Sequence, residues 1–127
     1  MTCGTMDDET RISDLKDKVK KFCEARDWDQ FHSVKDLAIG LVTESSELLQ
    51  HFRFKSNGEV DEMLQNKLRR AEISEEIADV LYFLVRLSQL YDIDLSSELS
   101  KKLQKNEEKY PVEKSRGSNK KYNEFFK

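Results

Sequence analysis

Four acidic residues, set in two pairs, carry the chemistry that this sequence offers. Glu44 and Glu47 stand three residues apart in "LVTESSELLQ", and Glu76 and Asp79 repeat that spacing in "EEIADVLYFLVRLS". Residues i and i+3 are neighbours on a helix surface, so each pair converges on one spot. At about 100° per residue, Glu44 and Glu47 flank an apolar arc made by Leu37, Leu41, Val42, Leu48, Leu49 and Phe52. Gly40 falls beside them, where a missing side chain permits close approach. On the second stretch Glu76 falls between Phe83 and Leu87, and Asp79 falls close to Leu90. A carboxylate on an apolar face is costly unless its charge is compensated. A single acid so placed is usually paired with Arg or Lys, or reaches to the rim. Four acids facing one another repel unless a cation sits between them. Oxygen ligands without His or Cys point to Mg2+, with Mn2+ as the alternative. A di-iron bundle would need a Glu-x-x-His motif from each of two helices. Neither His32 nor His51 follows a glutamate at that spacing.

The elements that must hold these acids are helices. The 127 residues suit one domain with one core. One proline and four glycines are sparse punctuation. Apolar periodicity predicts a first helix over 12–26, with Ile12, Leu15, Val19, Phe22 and Cys23 on one side. A second runs over 34–52 with Ser33 as its cap, and a third over 66–90. Between these, "RFKSNGEVDEM" reads as a break with Asn57-Gly58 as its turn. Asp94 or Ser96 caps a fourth helix ending near Lys109, before Pro111. The expected fold is all-α, a four-helix bundle-type subunit. Residues 1–10 read as a flexible N-terminus, 11–110 as the helical domain and 111–127 as a tail. Apolar surface on the second and third helices exceeds what one small subunit covers, so a symmetric homo-oligomer is expected.

Composition narrows the function further. A net charge of −3 gives no basic footprint for polymeric nucleic acid. No apolar run approaches the roughly 18 residues of a membrane span. No signal peptide is read at the N-terminus, and Cys3 and Cys23 are expected as free thiols in a reducing, cytoplasmic setting.

The ordered set "RDWDQFHS", "LVTESSELLQHFRF", "EEIADVLYFLVRLS", "KLQKNEEKYP" and "SNKKY" resembles the MazG-like all-α nucleoside triphosphate pyrophosphohydrolases, in their dCTP pyrophosphatase branch. The resemblance covers nearly the whole chain from Val19 to Tyr122. It implies a helical subunit assembled as a dimer or a dimer-of-dimers tetramer. It implies Mg2+ held by Glu44, Glu47, Glu76 and Asp79, and cleavage of a (deoxy)nucleoside triphosphate to the monophosphate and pyrophosphate, with nucleotide-pool cleansing as the role. An acid not fully used as a ligand takes the proton of the attacking water. Glu47 is the choice, being farthest from the apolar arc, with Glu72 and Glu75 as spares. Trp28, His32 and Phe54 match base-pocket positions, where aromatic rings stack on a base. Core packing is the competing reading for Trp28 and Phe54, and a hydrogen bond at a helix start for His32. His51 has only a packing or rim reading. Phe54 replaces a tryptophan that relatives often carry, and Phe83 a tyrosine, with the hydroxyl moved to Tyr82. The resemblance places Lys102 and Asn106 at the phosphates with Tyr110 near them; a rim lysine and a satisfied buried amide are the competing reading for the first two. Two readings of the tail stand side by side: a solvated charged segment, or a flap carrying Arg116, Lys120, Lys121 and Tyr122 over the nucleotide. A broader NTP or dUTP hydrolase, and a non-catalytic helical module, are the alternatives.

Overall fold

The computed structural model describes residues 4–125. Among them there are helices and no strands. In chain order the α-helices are α1 (Met6–Glu9), α2 (Ile12–Glu24), α3 (Val34–Gln50), α4 (Asn57–Gln65), α5 (Lys67–Leu90), α6 (Leu95–Lys109), α7 (Val112–Ser115) and α8 (Tyr122–Phe125), with a 3-10 turn at Asp29–Phe31. None is long and apolar enough to cross a membrane.

Local chemistry explains where these helices start. Asp14 Oδ2 accepts from the Arg11 backbone N–H at 2.8 Å, at the entry to α2. Ser33 caps α3 by accepting from Asp36 N at 3.1 Å. Asn66 Oδ1 accepts from both Leu68 N and Arg69 N at 3.1 Å, so α5 begins one residue after its cap. Asp94, not Ser96, caps α6, accepting from Ser97 N at 3.1 Å. Each such cap satisfies amide groups that the helix itself leaves unpaired. Where a break was expected, the chain instead builds α4. Ser56 accepts from Glu59 N at 3.2 Å, and Asn57 and Gly58 are its first two residues. The expected loose start likewise carries the short α1.

The chain divides into two compact units, one up to Asp92 and one from Ile93 onwards. In the first, α5 is the axis against which α2, α3 and α4 pack. Its core is Cys23 from α2, Leu37 from α3, Met63 from α4, and Ile73 and Val85 from α5. Burying an aliphatic side chain of this size contributes about 1.5–3 kcal/mol. Tyr91 at the end of α5 accepts a hydrogen bond from the Val34 amide at 3.1 Å, tying that end to the start of α3. Val42 and Leu49 on α3, and Ile77 and Leu84 on α5, were expected on buried faces; they are exposed. Cys23 is a buried free thiol, and Cys3 lies outside the described residues.

In the second unit the tail folds on its own helix. The Tyr110 ring meets Tyr122 and Phe125 edge-on, each at 6.2 Å, and Lys109 Nζ sits 4.9 Å above Tyr122.

Candidate active site

Helices α3 and α5 bring three of the four acids together. One carboxylate oxygen from each of Glu44, Glu47 and Glu76 lies within 4.8 Å of the others. Glu44 and Glu76 are half-buried. Each has one buried oxygen, Oε2, with no hydrogen-bond partner. A buried acceptor left unpaired is expensive, and ordinary proteins rarely tolerate it. Here two occur in one cluster. Their environment favours the protonated form. Burial pushes the Glu44 carboxyl up from its usual range, and Glu47, Asp79 and Glu76 add to it. Burial also raises Glu76, followed by Glu47 and Asp79, while His51 acts in the opposite sense. Asp79 stands outside the 4.8 Å group, but its charge acts on both Glu44 and Glu76.

The packing that fixes this spacing runs through Gly40. A Cβ built there would fall 2.3 Å from Phe83 Cε1. The bare backbone of α3 therefore lets the Phe83 ring of α5 lie against it, one turn from Glu44. The close approach expected beside the first acid pair is present, with Phe83 as the group that uses it.

Two cavities meet the acid cluster from different sides. One, of about 550 Å3, is lined by Lys18, Val19, Phe22, Trp28, Ala78, Tyr82 and Phe83, with Glu44 and Asp79 on its wall. Its walls are aromatic. Phe22 meets Trp28 edge-on at 5.6 Å and Tyr82 at 6.1 Å, and Tyr82 meets Phe83 at 5.1 Å. The other, of about 440 Å3, is lined by Glu47, Gln50, His51, Arg53, Lys55, Arg69 and Glu76.

Trp28 and Phe83 thus share one cleft with two of the acids. His32 does not line that cleft. Its Nδ1 accepts from Arg86 Nε at 2.9 Å, which leaves the neutral ring with its proton on Nε2. Burial and the Arg86 charge both lower the His32 pKa. Its ring stands 6.4 Å from Trp28, edge-on. Phe54 is 90% exposed, so it is neither a core residue nor a wall of the cleft. Its φ of +61° closes the segment after α3 and turns the ring outward beneath the Arg53 guanidinium, 4.8 Å from the ring centre. Lys102, Asn106 and Tyr110 lie along α6 in the second unit. Lys102 is exposed, Asn106 half-buried, and Tyr110 occupied by its contacts with Tyr122 and Phe125. The spare acid Glu72 is paired with Arg69 at 3.3 Å.

Arg86 was not anticipated, and His51 and Tyr82 contribute in ways that were not. His51 Nε2 stands 3.7 Å from Glu76 Oε1, and its place four residues after Glu47 was the available signal. Arg86 is fully buried and donates to His32, Gln89 and Asp29. It pins the turn that presents Trp28, and its position between Val85 and Leu87 in the most apolar run of the chain announced it. Tyr82 directs its hydroxyl to Cys23 Sγ at 3.1 Å, so the shifted hydroxyl is engaged inside the subunit while its ring walls the cleft.

The model of the MazG-like family matches residues 39–125. The protein named dCTP pyrophosphatase 1 of Rattus norvegicus is 36% identical over 117 residues, covering 92% of this chain and 69% of that protein. Its Homo sapiens counterpart of the same name is 34% identical over the same coverage. The crystal structure of a pyrophosphatase from Archaeoglobus fulgidus aligns with a TM-score of 0.72 and 34% identity, over 87% of this chain and 97% of that one.

Proposed function

This chain belongs to the MazG-like family, and from that premise we propose that it is a Mg2+-dependent pyrophosphohydrolase of deoxynucleoside triphosphates, with dCTP or a modified dCTP favoured. That it is a nucleotide pyrophosphohydrolase follows from its kinship with the pyrophosphatases, which displaces the non-catalytic helical module. The metal and the base are the further reading. One observation carries it. Two buried carboxylate oxygens without partners, on Glu44 and Glu76, face a third acid beside an aromatic cleft. An oxygen-only donor set of this kind fits a hard divalent cation, Mg2+ or Mn2+. Glu44, Glu47 and Glu76 would hold it, with Asp79 as the fourth acid.

When bound, the cation supplies charge to the phosphates and acidifies a water. The rest belongs to the protein. Trp28, Phe22, Tyr82 and Phe83 offer ring faces and edges to a base and exclude water from it. Glu47, the exposed member of the three, accepts the proton of the attacking water. Water adds across one P–O–P bridge: its OH joins one phosphorus and its proton ends on the oxygen released. The products are the nucleoside monophosphate and pyrophosphate. The role that fits this chemistry is cytoplasmic cleansing of the nucleotide pool.

A homo-oligomer, dimer or dimer-of-dimers tetramer, is part of the same proposal. Val42 and Leu49 on α3 are 65% and 68% exposed, and Leu68 on α5 is 77% exposed. Apolar surface at this density is commonly covered by another copy.

Pyrophosphate release from a panel of dNTPs and NTPs, with Mg2+ and then with EDTA, tests the reading. Metal-dependent cleavage led by dCTP is the expected result. Equal rates across all bases would replace it with a broad NTP or dUTP hydrolase, and cleavage unaffected by EDTA would remove the metal.

A further inference from the structure

The two cavities flanking the acid cluster differ in chemistry, and the difference gives the substrate a direction. The 550 Å3 cleft on the Glu44–Asp79 side is aromatic and holds one cation, Lys18. The 440 Å3 cavity on the Glu47–Glu76 side holds three, Arg53, Lys55 and Arg69. Among the described residues, no carboxylate stands at ion-pair distance from Arg53 or Lys55. Arg69 has only the exposed Glu72 for a partner, an interaction worth little in water. The acids on this wall, Glu47 and Glu76, are those the metal would neutralise. With them spent, Arg53 and Lys55, unpaired among the described residues, and Arg69, only weakly paired with Glu72, surround a polar space beside the acid cluster.

We propose that Arg53, Lys55 and Arg69 form a subsite for the diphosphate end of the substrate, and that the released pyrophosphate leaves from it. The assignment rests on the pyrophosphohydrolase reading above and goes beyond it by naming the residues that hold the leaving group. The base lies in the aromatic cleft, the reacting phosphorus at the carboxylates, and the remaining phosphates among the three cations. Arginine suits the task because its planar fork meets two phosphate oxygens at once, while Lys55 supplies a point charge. Arg53 is held ready by its stacking on the Phe54 ring, which gives that outward-turned phenylalanine a use away from the base.

The test is calorimetric binding of inorganic pyrophosphate, with Mg2+ present, to the full chain and its variants. Lys55→Gln with Arg69→Gln should weaken pyrophosphate on the order of tenfold or more, while dCMP binding changes by less than about twofold. Arg69→Lys should retain most of the affinity. Lys20→Gln, on α2, should leave both ligands unchanged. Wild-type pyrophosphate affinity in the double variant would overturn the subsite. So would equal loss of pyrophosphate and dCMP, which would report damage to the metal cluster. A wild-type protein that binds pyrophosphate through these residues but cleaves no nucleotide would sink the functional reading and support the subsite. Cleavage of dCTP with pyrophosphate affinity indifferent to Lys55 and Arg69 would do the reverse.

Discussion

Replacing Gly40 with alanine tests the contact that sets the spacing of the site. The new Cβ would meet Phe83 at 2.3, 2.6 and 2.7 Å from three ring carbons, whereas ordinary contact begins at 3.4 Å. The ring edge must therefore retreat by roughly 1 Å in a close-packed surrounding. Tyr82 meets Phe83 edge-on at 5.1 Å, which limits the retreat. Overpacking of this kind costs about 1–3 kcal/mol. Against it stands the gain of alanine over glycine inside a helix, about 1 kcal/mol. The net expectation is a loss of about 0–2 kcal/mol in urea denaturation, the clash prevailing. Kinetics should be more sensitive than stability, because Phe83 shares its cleft with Glu44 and Asp79. A rise in KM of several-fold for the preferred dNTP is expected. Adding Phe83→Leu to Gly40→Ala should recover stability, so the pair is non-additive in a double-mutant cycle. A Gly40→Ala protein that is stabilised by the full helix-propensity gain, with unchanged KM, would refute the reasoning. It would mean that Phe83 does not rest on α3 at that point.

Glu44→Gln and Glu76→Gln should each abolish Mg2+ binding in titration calorimetry and lower turnover by at least about a hundredfold, while the metal-free protein stays folded. The metal-free wild type should lose stability as pH rises. Glu44 and Glu76 have folded-state pKa values raised above those of the unfolded chain, so the native state holds extra protons in that window. Their favourable contribution is present at mildly acidic pH and fades from about pH 4.5 up to the raised values, a trend that a thermal-melt series in EDTA would show and that saturating Mg2+ should reverse. Arg86→Met should cost about 1–3 kcal/mol, because Gln89 and His32 lose a buried donor. It should also raise the His32 pKa, seen by NMR titration, since the Arg86 charge helps lower it; the remaining depression is the burial contribution.

The acid pairs were legible because their spacing and the apolar residues around them can be read on a helical wheel without tertiary knowledge. Ser33 caps α3 as expected, and Glu44, Glu47 and Glu76 come together, while Asp79 stands outside their group. Helix α4 was hidden because Asn-Gly usually signals a turn, yet in the first turn of a helix glycine costs little and Ser56 supplies the cap. Phe54 could not be placed from sequence because its direction depends on one left-handed φ, a property of how the chain leaves α3 and not of the ring. Val42, Leu49, Ile77 and Leu84 obey helical periodicity but are exposed in the subunit. Periodicity records that a face is apolar and is silent on whether the same chain covers it. Arg86 and His51 were passed over for the opposite reason. Each is a polar residue beside leucines, and the wheel does not reveal which polar neighbours will meet it.

The acid cluster also has an energetic logic that links the core to the chemistry. Carboxylates that repel can relax by moving apart, and on a loose scaffold Glu44 and Glu76 would do so. Here the distance between α3 and α5 is fixed elsewhere, by Leu37, Ile73 and Val85 in the core and by Phe83 seated on Gly40. The remaining routes to relief are to take up protons or to bind a cation. Near neutral pH protonation is disfavoured for an ordinary carboxyl, and burial together with the neighbouring acids pushes Glu44 and Glu76 up from that range. On the proposed reading, the packing energy of the subunit would thereby be converted into affinity for a divalent ion. A triphosphate would bring negative charge to a cation held there, so substrate and metal should each tighten the binding of the other. Under the proposed function, the acids that would repel a nucleotide in the metal-free protein would form, once neutralised, the wall between an aromatic cleft and a cationic one.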